Sequence, residues 1–108
     1  MIFKPEHIEM IRNGTKTQTR RYTGLHYKEG RTYAVQPGRG KKAVPDIRIR
    51  IVRKREEIPP FNITDDDAIA EGGYTPEEYE ALYLSLYPKS ALRWVLTFEV
   101  VKCEQEKE

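Results

Sequence analysis

An α+β domain with a curved sheet is the fold the sequence predicts, and three segments predict it. Pro45 to Arg55 alternates Ile47, Ile49 and Ile51 with Arg48, Arg50 and Val52, the period of a half-buried strand. Leu92 to Lys102 alternates Leu92, Trp94, Leu96, Phe98 and Val100 with Arg93, Val95, Thr97, Glu99 and Val101, so part of it is apolar on both faces. Between them, Tyr74-Thr75-Pro76-Glu77-Glu78-Tyr79 sets an N-cap Thr, a first-position Pro and a third-position Glu before an apolar stripe. Strand and helix periods thus share one chain of 108 residues, the size of a single domain that buries roughly two thirds of its unfolded surface.

The elements follow in order. Glu6 to Asn13 reads as a short helix, with Ile8 and Ile11 three apart, Pro5 at its first turn and Gly14 where a left-handed residue ends it. Gly24 to Gly30 is a loop that turns at Glu29-Gly30, and Thr32 to Gln36 has the β-branched and aromatic content of a strand. Pro37-Gly38-Arg39-Gly40-Lys41-Lys42 is a basic loop that lacks the spacing and the Ser/Thr of a phosphate-binding P-loop, which rules against a nucleotide triphosphatase. Isoleucines of the long strand face a core and its arginines face out. Pro59-Pro60 interrupts the sheet region, and Thr64-x-x-Asp67 caps a short helix over Asp65 to Ala70. The second helix carries Tyr79, Leu82, Tyr83 and Leu86, with Tyr74 and Tyr79 at staple positions, and breaks at Tyr87-Pro88. Leu92 to Lys102 is a central strand, or one that closes a barrel against a helix. Residues 103–108 read as a frayed acidic tail.

Net charge is only +2, yet residues 1–58 hold 15 Lys/Arg against 6 Asp/Glu and residues 59–108 hold 4 against 11. That asymmetry favours polar or anionic partners at a basic face, unless the two halves neutralise each other across the fold. No apolar run of about 18 residues exists to span a membrane. The start, Met1 to Pro5, lacks the apolar stretch of a secretory signal, and the lone Cys103 makes no internal disulfide. With His7 and His26 far apart, the expectation is a cytoplasmic protein without metal or cofactor. His7 is read as a packing or hydrogen-bonding residue rather than a catalyst, and Cys103 as an ordinary thiol.

Gly14-Thr15-Lys16-Thr17-Gln18-Thr19-Arg20-Arg21 concentrates three cations and three hydroxyls in eight residues. Such a cluster is costly in an apolar core and suited to holding phosphate, carboxylate or polar base edges. An extended segment places Thr17, Thr19 and Arg21 on one side and Lys16 on the other, unless the preceding turn persists. Glu71, beside Gly72-Gly73, is the acidic group best suited to pair with Lys16, either as a salt bridge or to handle protons.

Met10-Ile11-x-x-Gly14-x-Lys16-Thr17-x-Thr19-x-Arg21 resembles the N-terminal signature of the ASCH domain, a small relative of the PUA barrel. Gly30 to Gln36 resembles that family's turn into its first barrel strand. Glu71-Gly72-Gly73-Tyr74 resembles its central acidic segment, and Trp94 to Val101 its closing strand. The resemblance spans nearly the whole chain. It implies a PUA-like small β-barrel with flanking short helices over residues 1–108, and an RNA- or nucleotide-binding module acting in RNA metabolism through a basic cleft. Some members remove an acyl group from modified cytidine with a lysine, a threonine and a glutamate. Lys16 and Thr19 match the first two, and Glu71 takes the third place after a small shift in alignment. A protein-interaction adaptor using the charge asymmetry is the remaining alternative.

The candidate catalytic residues are therefore Lys16, Thr19 and Glu71: lysine for the nucleophilic step, threonine for substrate or oxyanion, glutamate for proton transfers. Candidate ligand-binding residues are Thr17, Arg21, Tyr22, Tyr27, Arg39, Lys41, Lys42, Arg48, Arg50 and Tyr74, cations for a backbone and rings for bases. The expected partner is RNA or a modified nucleoside, with no membrane; the sequence leaves the oligomeric state open.

Overall fold

The structure is a computed structural model and describes residues 1–24, 26–87 and 92–103. Its elements are α1 (Pro5–Arg12), β1 (Gln18–Arg21), β2 (Thr32–Ala34), β3 (Ile47–Glu57), α2 (Asp65–Gly72), α3 (Pro76–Leu86) and β4 (Arg93–Lys102). The acidic segment 104–108 and Pro88, predicted as tail and helix breaker, lie outside the described residues.

β3 and β4 are the spine of the sheet. They pair antiparallel from Ile47↔Lys102 to Glu57↔Arg93, with β1 on the far side of β4 and β2 on the far side of β3. Ile47, Ile49 and Ile51 are buried, as the alternation predicts, and Arg48 and Arg50 are half-buried. The alternation ends at Val52, an extra residue between the Ile51↔Phe98 and Arg53↔Thr97 pairs. This bulge leaves Val52 exposed and shifts the following side chains by one face.

Cross-strand partners share a face, so the register assigns each side of the sheet. Thr19, Leu96 and Lys54 lie on one side, and Arg20, Val95 and Arg55 on the other. The first side carries the main core, where Phe3, Ile8 and Ile11 pack with Ile47, Ile49, Ile51, Leu96 and Phe98. The second is covered by α2 and α3 through Ala68, Tyr79 and Tyr83. β4 is therefore a central strand covered on both faces, which accounts for its apolar residues in both phases. Both helices on that side begin with capping boxes, at Thr64/Asp67 and Thr75/Glu78.

The expected β-barrel is not formed. Closure requires the two sheet edges to pair, but the order β1-β4-β3-β2 leaves β1 and β2 at opposite edges. With four and three residues respectively, these edges are too short to curl into one another. Beyond β2, among the described residues, the sheet gains a parallel bridge, Ile2↔Gln36, with Phe3 N–H donating to Gln36 O at 2.9 Å. From the other edge, the Arg21 guanidinium reaches Ile2 O at 2.7 Å. Among the described residues a side chain spans the gap where a ladder was expected. The fold is α+β with an open four-stranded antiparallel sheet and three helices.

Charges tie the second layer to the sheet. Arg93, fully buried, donates to Glu57 and Glu80, and its guanidinium carbon lies 3.9 Å from the Phe61 ring centroid and 4.6 Å from that of Tyr83. Arg20 bonds Glu57 through Nε at 3.0 Å and Nη2 at 3.1 Å. The Arg20–Glu71, Arg50–Glu99 and Arg55–Asp67 pairs join the basic half of the sequence to the acidic half, neutralising part of the asymmetry internally. Removing Arg93 leaves two carboxylates without their shared partner in a poorly hydrated place. Arg93→Ala is expected to lower unfolding free energy by about 3 kcal/mol or more in urea titration; a loss under about 1 kcal/mol would show that the layer is held by packing alone.

Candidate functional site

The site begins with the turn after α1. Gly14 adopts φ +83°, and the chain then re-enters the structure through backbone bonds rather than as a free loop. Lys16 N–H donates to Met10 O at 3.0 Å, Thr17 N–H to Ala70 O at 2.9 Å, and Phe98 N–H to Thr17 O at 3.0 Å. Pinned between α1, α2 and β4, this backbone aims Lys16 inward and leaves the Thr17 side chain exposed.

Lys16 is 3% exposed. Its Nζ donates to Gln18 O at 2.9 Å and to Glu71 O at 2.6 Å, and lies 3.6 Å from Glu71 Oε1. Burial pushes the ammonium pKa down from 10.5 to about 8; the Glu71 charge opposes that fall, and Arg21 adds to it. Lys16 thus titrates near neutrality while remaining a donor to two carbonyls.

Glu71 comes from the last turn of α2, where Gly73 takes the left-handed capping conformation. Its carboxylate is 1% exposed and divided in function. Oε2 accepts from Arg20 Nη1 at 2.8 Å, whereas Oε1 has no hydrogen-bond partner among the described residues. An unpaired carboxylate oxygen at this depth is a standing energetic cost that a ligand donor or water would relieve.

Both groups border a cleft of about 420 Å³. Phe3, Tyr79, Leu82, Tyr83 and Tyr87 supply apolar and aromatic wall, and Lys4, Arg21 and Arg39 are also on its lining. β1 is an edge strand, so the cleft borders residues of both phases: Lys16 and Arg20 on the α2 side, Thr19 and Arg21 on the other. The phase separation expected for an extended segment is present, and the edge position brings both sets to one cavity.

Arg21 is shaped by that edge. Its Nε donates to Thr19 Oγ1 at 3.2 Å, its Nη2 to Ile2 O, and its plane sits 4.8 Å from the Phe3 ring centroid. Burial pushes this guanidinium below its usual pKa range, partly offset by the nearby tyrosines Tyr27 and Tyr87. His7, also on the lining, meets Tyr74 Oη through Nε2 at 2.8 Å. Burial, then the charges of Lys16 and Lys4, lower its pKa to about 4, so it is neutral at pH 7.

The remaining candidate residues are dispersed. Tyr22 is exposed, with its ring tilted against that of Tyr87 at a centroid distance of 4.4 Å, and Tyr27 packs against the main core with its ring edge-on to Tyr33. Tyr74 is held by His7. Lys41 and Lys42 are exposed on the loop that brings Arg39 to the cleft. Arg48 donates to Thr32 O at 3.4 Å, and Arg50 is paired with Glu99. Neither is on the cleft lining.

Arg20 was missed. Part of the basic stretch by sequence, it was given no role, yet it orients Glu71 from a position 4% exposed. Its shared phase with Lys16 is the signal that could have found it. Glu57 and Arg93, which hold Arg20 in turn, carry no local signal.

No family model matches the chain, and none of the curated proteins does. Among the described residues no helix is long and apolar enough to cross a membrane. Two solved structures are similar in fold. An ASCH domain from Lactobacillus crispatus superposes with a TM-score of 0.69 at 16% identity, covering 87% of this chain and 69% of that one. The protein EF3133 from Enterococcus faecalis, of family model DUF984, gives 0.62 at 22% identity, covering 93% and 72%. The chain is a small α+β domain whose fold resembles those of the ASCH and DUF984 proteins.

Proposed function

We propose that the cleft binds a nucleoside and hydrolyses an amide on its base, the substrate class being an N-acylated cytidine. The observation that carries this is the Glu71 carboxylate: buried, held by Arg20 through one oxygen, and ion-paired to Lys16 Nζ at 3.6 Å through the other, which accepts no hydrogen bond among the described residues. The cytidine itself comes from the resemblance of Lys16, Thr19 and Glu71 to the amidohydrolase members of the ASCH family, and the aromatic walls and volume suit one base and its sugar.

In the reaction, a water bound at Glu71 Oε1 attacks the acyl carbon. Its oxygen forms the new C–O bond as its proton passes to Glu71. The Lys16 ammonium, two of whose protons are held by carbonyls, turns the third toward the developing oxyanion, with the Thr19 hydroxyl as a second donor. Collapse breaks the C–N bond, and Glu71 returns the proton to the departing exocyclic nitrogen. Arg20 keeps Glu71 oriented throughout.

A second reading, a nucleotide- or RNA-binding module without turnover, is favoured by a separate observation. Lys4, Arg21 and Arg39 line the cleft without a carboxylate partner among the described residues, beside aromatic rings. The adaptor reading draws less support, because ion pairs across the fold absorb part of the charge asymmetry on which it rests.

Release of the acyl group from acylated cytidine, read by mass change, is the expected outcome. Glu71→Gln and Lys16→Ala should each lower kcat/KM by at least about 100-fold while circular dichroism stays native. Intact substrate in an assay validated by an active control removes the hydrolase and leaves the binding module. In that case RNA affinity should fall steeply with salt.

The pH profile follows from the Lys16 shift. The ammonium is the working form and is present below its lowered pKa, so kcat/KM should decline as pH rises through about 8. A rate that climbs through that range would make neutral Lys16 the base and reverse the assignment of roles.

A further inference from the structure

We propose that the mouth of the cleft is a phosphate site, where Arg21, Arg39 and Lys4 hold a phosphate carried on the ribose of the bound nucleoside. This rests on the reading that the cleft takes a nucleoside, and it narrows the substrate class from nucleosides to nucleotides.

Charge on the lining is lopsided. Lys4, Lys16, Arg20, Arg21 and Arg39 face a single carboxylate, Glu71. Arg20 and Lys16 are committed to that group and to nearby protein acceptors. The other three have no acidic partner within salt-bridge distance among the described residues, although the chain places carboxylates beside Arg12, Arg50, Arg55 and Arg93.

Arg21 is the centre of the site. It is half-buried, and a guanidinium removed from water without a counter-ion is costly. Its bonds to Thr19 Oγ1 and Ile2 O use Nε and Nη2 and fix the plane against Phe3, leaving Nη1 without a protein acceptor among the described residues. A fork preset in this way loses little freedom on meeting an anion.

Arg39 and Lys4 are brought there by one piece of architecture. Phe3 N–H to Gln36 O joins the N-terminal segment to the strand end that precedes the loop. Gln36 Nε2 to Lys41 O at 3.1 Å and Lys41 N–H to Gly38 O at 3.2 Å then fold the loop into a turn, with Gly40 at φ +73°. Cations therefore arrive from the N-terminal segment, from β1 and from the loop, an arrangement suited to the several oxygens of a phosphate rather than to a flat carboxylate. Burial lowers the pKa of His7 on the same lining, and the charges of Lys16, Lys4 and Arg21 lower it further.

The test is calorimetric titration of the whole chain with cytidine, its 5′- and 3′-monophosphates, and a short cytidine oligonucleotide. At least one phosphorylated ligand is expected to bind about tenfold tighter than cytidine or better. Arg39 is exposed, so Arg39→Gln should fold normally; with Arg21→Gln added, the ratio of affinities should fall toward one. Preference for a mononucleotide identifies a free metabolite as the source of the phosphate, and preference for the oligonucleotide alone identifies a nucleic-acid backbone. Equal affinity for cytidine and its phosphates, or a ratio unchanged in the double variant, overturns the site. Hydrolysis of acylated cytidine without any phosphate preference would retain the hydrolase and remove the phosphate site. Phosphate preference without hydrolysis would do the reverse, and no binding by any ligand overturns both.

Discussion

Neutralising cations inside a small domain is the constraint on which the rest of this structure depends. Lys16, Arg20 and Arg93 are each under 5% exposed, and leaving any of them unpaired would cost several kcal/mol against a stability of about 5–15 kcal/mol for a domain of this kind. Glu57 and Glu71 answer that demand, with Asp67 and Glu80 at the margin. The four acids arrive from three elements: the end of β3, the capping box and last turn of α2, and the middle of α3. The layer of α2 and α3 is consequently joined to the sheet by ion pairs as well as by the packing of Ala68, Tyr79 and Tyr83.

That constraint also makes the site. Arg20 uses one side of its guanidinium for Glu57 and the other for one oxygen of Glu71, so Glu71 is fixed without being saturated. Lys16 is fixed by two backbone carbonyls and stops short of a hydrogen bond to the free oxygen. A fully satisfied network would be inert. Here the unsatisfied position falls on the wall of a cavity, where a small molecule can complete it.

The open sheet matters for the same reason. A closed barrel would pair the outer edge of β1 with another strand. With β1 at an edge, the N-terminal segment is near it but joined only through the Arg21 side chain, and the space between edge, segment and α3 is the cleft. Arg39 reaches that space because the basic loop leaves the opposite edge of the sheet, where Gln36 meets Ile2.

The periodic elements were legible in the sequence. Ile47, Ile49 and Ile51 gave a half-buried strand because period-2 burial is a local property, and the Thr64/Asp67 and Thr75/Glu78 boxes gave helix starts because capping spans only three residues. The two apolar phases of Leu92 to Lys102 gave a strand covered on both sides. Lys16 and Glu71 could be named from their residue types and neighbours. Their separation could not, since they lie 55 positions apart and the backbone bonds of residues 16 and 17 to α1, α2 and β4 set it. Sheet closure, the bulge at Val52, the role of Arg20 and the pairing of the basic half with the acidic half were decided by tertiary structure alone. Each depends on which distant groups meet, and a buried charge chooses its partner by geometry in three dimensions, which local sequence pattern does not encode.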